Sequence, residues 1–240
     1  MIRLPRSVRR ARKKAKRERW LDPAKPYPRD VGKLVSGHYR LFSDSDHHTK
    51  PGILRAVQEL GRKPAHILET GSSAWGSDST RLWSKYVQVF GGTVWSVDLR
   101  EQPRQKLGDL GPDTHLFVED SLAFLERFGA ESRHQTVNLA YLDSFDCDWT
   151  NPEPAAIHGY KEWELLQPHL RPGSIVVIDD TPRTPSDIPW LEGVKREAVH
   201  TLFKEHSVPP GKGSKVFEAV SQSRDWTILH HSYNLVVQKG

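Results

Sequence analysis

The chain has 240 residues, of which 36% are hydrophobic and 27% are charged, and this size and composition are typical of one soluble α/β domain with extensions. No apolar run approaches the roughly 18 to 20 residues that cross a bilayer, which argues against a membrane-spanning protein. The single cysteine, Cys147, cannot form an intramolecular disulfide or a thiolate metal cluster. A secreted disulfide-rich scaffold and a zinc ribbon are therefore excluded, and a reducing, cytoplasmic location is expected.

The formal net charge of +5 is distributed unevenly along the chain. Residues 1–20 hold 10 basic residues and 1 acid, whereas residues 21–240 hold 25 basic residues and 29 acids, so the two parts carry +9 and −4. The first segment lacks the apolar stretch of a secretory signal. We expect a disordered basic arm that either has no specific partner or binds nucleic acid, anionic lipid or another polyanion.

Residues 21–49 follow as a predicted linker and lid segment, because three prolines fall within residues 20–30 and disfavour regular structure. From about residue 50 onward, helical periodicity alternates with short apolar runs, which is typical of parallel βαβ units. The predicted strands are 66–69, 93–98, 115–118, 137–143 and 174–179. The runs 226–231 and 233–238 are nearly contiguous and predict an antiparallel hairpin. The predicted fold is a Rossmann-like, doubly wound α/β sheet, mostly parallel, that ends in this hairpin.

Acidic residues stand at the end of every strand that is predicted to be parallel. They are Glu69, Asp98, Asp120, Asp143 and the pair Asp179-Asp180. In open α/β sheets ligands bind outside the carboxyl ends of the strands. Any one of these acids could instead cap a helix, but their repetition at five strand ends favours a binding site.

The loop after the first predicted strand, ETGSSAWGS from residue 69 to residue 77, has glycines where the backbone must approach a ligand. A dinucleotide site places a pyrophosphate at a helix N-terminus, whereas here the acid Glu69 begins the loop. A carboxylate suits an ammonium or a sulfonium, so S-adenosylmethionine is preferred to NAD as the cofactor. Gly71 and Ser73 are the other predicted cofactor contacts of this loop.

Four further cofactor contacts are predicted at later strand ends. Asp98 is predicted to bind the ribose hydroxyls, in the way that strand-end acids do in nucleotide-binding folds. Asp120 and Ser121 are placed to meet the adenine edge, although capping of the following helix is an equally good interpretation for Asp120. Asp143, at the end of the fourth strand, is the last predicted cofactor contact.

Five segments follow one another in the order ILETGSSAWGS, VWSVDL, VEDS, YLDSFD and VVIDD. In this order and spacing they resemble the motifs of class I S-adenosylmethionine-dependent methyltransferases, and the resemblance makes residues 50–240 the methyltransferase domain. YLDSFD together with PGSIVVIDD is more narrowly similar to the metal-dependent O-methyltransferases of the catechol, macrolide-sugar and cephalosporin types. The resemblance implies methyl transfer to a hydroxyl of a small molecule or glycan.

In that family an acid at the end of the fourth strand and two residues at the end of the fifth hold Mg²⁺, and the matching residues here are Asp143, Asp179 and Asp180. Three oxygen donors around one point also suit a hard cation on chemical grounds. Without a cation they would repel one another and raise at least one pKa. The alternative is that Asp180 caps the following turn while Asp143 faces solvent.

The general base is predicted less directly. Catechol-type relatives have a lysine, and some sugar-modifying relatives a histidine, three residues after the first metal acid, whereas this chain has Asp146. Asp146 or His158, at the start of the next helix, is the predicted base, although a histidine there is often only a surface group. Gly211-Lys212-Gly213 resembles a KG element of the sugar-modifying relatives, which implies a mobile loop that bears a cation and shapes the substrate site; the alternative is a plain surface turn. His47 and His48 are expected to diverge and to line at most a substrate wall.

Two other functions remain open at this point. One is a nucleic-acid-modifying methyltransferase that uses the basic arm, and the other is a non-catalytic binding protein on the same scaffold. The net negative charge of residues 21–240 argues against the first, as does the lack of an Asn/Asp-Pro-Pro-aromatic box and of a KDKE-type set. The sequence carries no signal for an oligomeric state.

Overall fold

A computed structural model of the chain describes residues 6–22, 29–72, 76–131, 136–205 and 208–240. Its strands are β1 Ala65–Thr70, β2 Gly92–Asp98, β3 Thr114–Val118, β4 Leu139–Leu142, β5 Ile175–Ile178, β6 Trp226–His231 and β7 Leu235–Lys239. Its α-helices are α1 Arg6–Leu21, α2 Val31–Phe42, α3 Lys50–Leu60, α4 Ser79–Phe90, α5 Glu101–Leu107, α6 Ser121–Glu131, α7 Glu153–Leu166, α8 Gly193–Glu205 and α9 Ser214–Ser221. Among the described residues, no helix has the length and apolar character needed to cross a membrane.

The strands form one sheet in the order β3-β2-β1-β4-β5-β7-β6. Strands β1 to β5 are parallel to one another, and β7 is antiparallel to both β5 and β6. This confirms the predicted Rossmann-like sheet with its C-terminal antiparallel strand. The order reverses between β1 and β4, and in such sheets ligands bind outside the strand ends at this reversal.

The sheet is covered by helices on both faces, and alternate residues of one strand belong to different cores. Ile67 of β1 packs in a cluster with side chains of α2, α3 and α4. Its neighbour Leu68 packs in a second cluster with side chains of α6, α7 and α9. Because successive side chains of a strand point to opposite faces, a strand that is buried on both sides consists almost entirely of apolar residues. The fully buried runs of β4 and β5 follow this rule.

The N-terminal segments differ from the prediction. Residues 6–21 form the helix α1 instead of a disordered arm, and residues 31–42, within the predicted linker, form α2. The arm is rich in Arg, Lys and Ala, which favour helix formation, and Trp20 near its end is only 7% exposed. The Trp20 ring packs so closely on α2 that a Cβ at Gly37 would lie 2.8 Å from it. The three prolines of the linker fall within residues 23–28, outside the described residues.

Candidate active site

A cavity of about 510 Å³ lies at the carboxyl ends of β1, β2, β4 and β5, where the strand order reverses. Its volume is in the range of small-molecule and cofactor sites. Nine of the predicted site residues line it: Gly71, Asp98, Asp120, Ser121, Asp143, Asp146, His158, Asp179 and Asp180. Of the other two, Ser73 lies outside the described residues, and Glu69 is enclosed by the protein.

Gly71 is the point where the loop after β1 meets the loop after β4. Its φ angle is +84°, in the region that favours glycine, and its N–H donates a hydrogen bond to the Val97 carbonyl at 2.8 Å. A Cβ at this position would collide with the backbone of Asp143. The missing side chain therefore allows the close approach of two loops that both line the cavity.

Glu69 does not face the cavity, in contrast to its predicted contact with the cofactor. Its carboxylate accepts hydrogen bonds from the hydroxyls of Ser79 and Thr80 at the start of α4, from the Ser96 hydroxyl of β2 and from the Trp83 indole N–H. Burial raises the pKa of Glu69 to about 7, against the opposing effect of the hydroxyl donors. The side chain thus connects β1 to α4 instead of facing a ligand.

The acids after β2 and β3 have different local partners. Asp98 is buried, and its Oδ1 accepts hydrogen bonds from the backbone N–H of Arg100 at 2.8 Å and from the Arg100 Nε at 3.1 Å. Asp120 accepts from the backbone N–H groups of Leu122 and Ala123. Asp120 therefore caps α6, as the alternative interpretation has it, while also lining the cavity.

The acids at the ends of β4 and β5 are joined by a lysine. The Nζ atom of Lys212 lies 3.0 Å from Oδ1 of Asp143 and 3.4 Å from Oδ2 of Asp180. Lys212 is only 1% exposed, so the expectation of an exposed surface turn at Gly211-Lys212-Gly213 is wrong. Sequence analysis could not pair Lys212 with Asp143, because they are separated by 69 positions and no local spacing relates them.

The remaining oxygens of the β5 pair also have partners inside the protein. Asp179 accepts hydrogen bonds from the Tyr141 hydroxyl at 3.0 Å and from Asn234 Nδ2 at 2.6 Å. Asp180 accepts a short hydrogen bond from the Tyr233 hydroxyl. Burial and then the neighbouring carboxylates raise the pKa of Asp179 well above its ordinary value. For Asp143, burial raises the pKa to about 6 although the Lys212 ammonium acts in the opposite direction.

A divalent cation would need free oxygen ligands from this acid cluster. Mg²⁺ needs near-octahedral oxygen ligands at about 2.1 Å, so several carboxylate oxygens must face one open point. One oxygen of Asp143 and one oxygen of Asp180 already contact the Lys212 ammonium, and would not be free to hold a cation. Within the described ranges, no three His, Cys, Asp or Glu side chains form a group that could hold a metal ion. The donor set as arranged does not fit Mg²⁺.

His158 lies in α7 and belongs to a polar network. Its Nε2 is 3.0 Å from the Ser121 Oγ and 3.4 Å from Oε1 of Glu162, and its ring stacks on Phe145 with centroids 5.0 Å apart. Glu162 is fully buried, and its Oε1 accepts a hydrogen bond from the Ser144 hydroxyl at 2.6 Å. Sequence analysis missed Glu162. The signal that could have found it is its position four residues after His158, which places both on one helix face.

The two predicted bases therefore differ in their surroundings. Asp146 is exposed at the edge of the cavity. The side chain of His158 is 14% exposed and has a buried carboxylate beside it. Both the Ser121 hydroxyl and the Glu162 carboxylate lie at the His158 Nε2, so the carboxylate would stabilise the imidazole ring once it takes up a proton.

Aromatic rings form a wall at the other side of the cavity. The rings of His47 and His48 stack with centroids 4.1 Å apart, so the expected divergence of these two side chains is wrong. The His48 ring also contacts Trp190 at 4.0 Å and Tyr233 at 4.1 Å. All four residues line the cavity, and Trp190 is 44% exposed. The wall offers ring faces to a bound molecule.

The chain matches no protein-family model, and no curated protein matches it. Solved structures share its fold. One is the MycE methyltransferase from the mycinamycin biosynthetic pathway in complex with Mg, SAH and mycinamycin VI, with 20% identity, coverage of 91% of this chain and 56% of that chain, and a TM-score of 0.54. Another is CalS11, a TDP-rhamnose 3′-O-methyltransferase of calicheamicin biosynthesis, with 14% identity, coverage of 100% and 97%, and a TM-score of 0.54. The chain spans about half the length of MycE, and at these identities the similarity establishes the fold.

Proposed function

We propose that this protein is an S-adenosylmethionine-dependent O-methyltransferase that acts on a hydroxyl group of a small molecule or sugar. The observation that carries the proposal is that one cavity at the strand reversal is lined both by the strand-end acid Asp98 and by a histidine beside a buried carboxylate. The shared fold with MycE and with CalS11 supports it, since CalS11 is described as a sugar O-methyltransferase.

The donor would lie over the ends of β1 and β2. Gly71, which has no side chain, lines this end of the cavity and leaves room for the amino-acid tail of the donor. The Asp98 carboxylate would accept hydrogen bonds from the ribose hydroxyls, and Arg100 orients it. Ser121 and the rim at Asp120 would face the adenine edge. S-adenosylmethionine supplies an electrophilic methyl group and leaves as a neutral thioether.

The protein then has to orient the acceptor, take its proton and exclude water. His158 lines the cavity with a side chain that is 14% exposed, so the hydroxyl of a bound acceptor would have to reach this imidazole for its proton to be taken. His158 would take this proton as the oxygen attacks the methyl carbon. Glu162, fully buried beside the imidazole, would fix the ring and stabilise the imidazolium that forms.

The aromatic wall favours an acceptor with a ring. Trp190, His48 and Tyr233 present amphipathic surfaces on which a sugar or an aromatic ring could stack. Mg²⁺ dependence, which the family resemblance implies, is not part of the proposed reaction, because the donor set between β4 and β5 does not fit the ion.

Donor binding is tested by calorimetric titration of the full chain with S-adenosylhomocysteine. Asp98→Asn should weaken binding by about tenfold or more, because a charged partner of the ribose hydroxyls is lost. Asp113→Asn is the matched control at an exposed position outside the cavity and should leave the affinity unchanged. No saturable binding to the wild-type protein would reject the proposed function.

Proton transfer is tested with labelled S-adenosylmethionine and a panel of phenols, sugars and glycosides. His158→Asn should lower the turnover number by about 10² to 10⁴. Glu162→Gln should lower it less and displace the pH–rate profile, and Asp146→Asn should leave it within about a factor of two. If both His158→Asn and Asp146→Asn stay within that factor, neither residue is the base. Donor binding without transfer to any acceptor would favour the non-catalytic alternative.

A further inference from the structure

We propose that Lys212 is a built-in cation that takes the place of a divalent metal ion between the ends of β4 and β5. Its ammonium group holds Asp143 and Asp180 in position at the cavity edge, so that donor binding and methyl transfer need no metal. The structural part of this inference stands by itself, while its consequence for catalysis rests on the proposed function.

The contact geometry is the first support. One ammonium group bridges an oxygen of Asp143, which follows β4, and an oxygen of Asp180, which follows β5, at 3.0 and 3.4 Å. The two carboxylates line the cavity, whereas Lys212 is 1% exposed. Lys212 is therefore a positioning residue that acts through the two acids and does not itself touch a ligand.

The loop around Lys212 is built to hold it there. The N–H of Lys212 donates to the Asp180 carbonyl at 2.9 Å, and the N–H of Gly213 donates to the Thr181 hydroxyl at 3.0 Å. A Cβ at Gly211, whose φ is +123°, would collide with the Asp180 carbonyl oxygen, and a Cβ at Gly213 would collide with Thr181. Both glycines are thus required for the backbone to lie directly against the end of β5.

Helix α7 contributes a third glycine on the opposite side of the same loop. A Cβ at Gly159 would lie 2.8 Å from the Lys212 carbonyl oxygen. An ordinary surface turn has no need of close packing on two sides. The packing therefore fixes the backbone of Lys212. It also fixes the point from which the lysine side chain extends to the two acids.

The charges support the same assignment. The Lys212 Nζ atom lies within 3.4 Å of two carboxylate oxygens and is enclosed by the protein, so a positive charge there directly faces two negative ones. Removing one partner of a buried ion pair is strongly unfavourable, because it leaves uncompensated charge. Lys212 thereby performs the charge compensation that a divalent ion performs in an open acid cluster, at the same carboxylate oxygens.

The first experiment titrates the full chain with Mn²⁺ alone, followed by electron paramagnetic resonance and calorimetry. We expect no saturable Mn²⁺ binding up to about millimolar concentration, a range in which weak oxygen-ligand sites fill. S-adenosylhomocysteine should bind with the same affinity, within about twofold, in excess EDTA and in Mg²⁺. Mn²⁺ binding to the wild-type protein at a 1:1 ratio, lost in Asp143→Asn, would overturn the proposal.

The second experiment removes the ammonium. Lys212→Met should lower the unfolding temperature by about 10 °C, and it should create Mn²⁺ binding at the vacated oxygens that partly restores this temperature. The gained binding should vanish in the double variant Lys212→Met/Asp143→Asn. Lys215→Met, the same change at a half-buried position in the first turn of α9, is the matched control. It should neither lower the unfolding temperature nor create Mn²⁺ binding.

If Lys212→Met does not fold, Lys212→Gln, a neutral side chain of similar reach, replaces it. Absence of Mn²⁺ binding in the folded variant would also overturn the proposal, because the acids would then not be a cation site at all. Failure of the proposed function has a different signature. The wild-type protein would bind no S-adenosylhomocysteine, while the Mn²⁺ results would still decide the role of Lys212.

Discussion

At the scale of single residues, two buried ionisable side chains near the cavity have several partners each. Glu69 has four hydrogen-bond donors around it, and Lys212 has two carboxylates. An ionised group that is taken out of water is tolerated only when its lone pairs or protons are used in this way. Such groups hold the framework around the cavity. Replacing them should therefore lower the free energy of unfolding.

The raised pKa of Glu69 predicts the direction in which its contribution to stability changes with pH. In the folded protein it is raised from 4.5 to about 7, so between these values the folded state binds more protons than the unfolded state. The stabilising contribution of Glu69 is therefore present below pH 4.5 and is lost as the pH rises to about 7, by about 3 kcal/mol in total. Glu69→Gln, which cannot titrate, should lose this dependence.

The measurement is urea unfolding of both proteins between pH 4.5 and pH 8. The stability difference between wild type and Glu69→Gln should be largest at the acidic end and should shrink as the pH rises. Glu119→Gln, at a half-buried position outside the cavity lining, serves as a comparison for carboxyl-to-amide exchange. A difference that grows with pH would contradict the assigned direction.

Residue-level prediction from sequence succeeded where a strand end determines position. Asp98, Asp143 and Asp179 line the cavity because the ends of parallel strands share one edge of the sheet. It failed for Glu69, which lies two positions after Ile67 and so points to the same face, toward α4. β1 is buried on both faces, so no polar–apolar alternation marks the direction of its side chains.

At the scale of elements, α2 is the clearest departure from the sequence prediction. Its N-terminus is capped by Asp30, whose Oδ1 accepts a hydrogen bond from the Lys33 N–H at 2.8 Å, and Leu34, Val35 and Tyr39 are fully buried in the core. Both signals are local and readable in the sequence. The three neighbouring prolines disfavour regular structure only in the segment before the helix, so they give no reason to extend the linker through residues 31–42.

His38 connects α2 to the loop before α4 and gives a prediction of opposite sign to that of Glu69. Its Nε2–H donates to the Ser77 carbonyl at 2.8 Å. Burial lowers the pKa of His38 to about 4, although the bond to Ser77 and the charge of Asp78 oppose the effect and Arg81 adds to it. Between about pH 6.5 and pH 4, His38 is protonated in the unfolded state but neutral in the folded state.

The contribution of His38 to the unfolding free energy should therefore fall by about 3 kcal/mol as the pH is lowered from about 6.5 to 4. His38→Gln keeps an N–H donor but cannot titrate in this range, so the stability advantage of the wild type should shrink toward acidic pH. The comparison uses urea midpoints of both proteins at each pH. A constant advantage across this range would show that the buried ring is not the titrating group.

At the scale of the whole molecule, opposite charges are separated. Residues 1–20 carry +9 and residues 21–240 carry −4, and the cavity itself is lined by acids at the strand ends. The side chains of residues 11–19 are exposed, whereas Trp20 is buried against α2. The basic helix is thus attached to the domain mainly at its C-terminal end, with Arg17 donating a hydrogen bond to the Leu41 carbonyl.

The basic charge of α1 and the packing of its C-terminal end on the domain can therefore be tested by two different deletions. Removal of residues 1–16 keeps Arg17 and Trp20, so the unfolding temperature and the affinity for S-adenosylhomocysteine should stay unchanged. Removal of residues 1–21 also takes away a buried tryptophan, whose loss costs about 3 to 5 kcal/mol and should lower the unfolding temperature by about 10 °C. Trp20→Ala in the full chain should reproduce most of that loss. If the shorter deletion already destabilises the domain to the same extent, the exposed basic helix is a structural element and not an accessory arm. Binding to single-stranded RNA or heparin, followed over a range of salt concentrations, should already weaken in the shorter deletion, because eight basic residues are removed and fewer counterions are released.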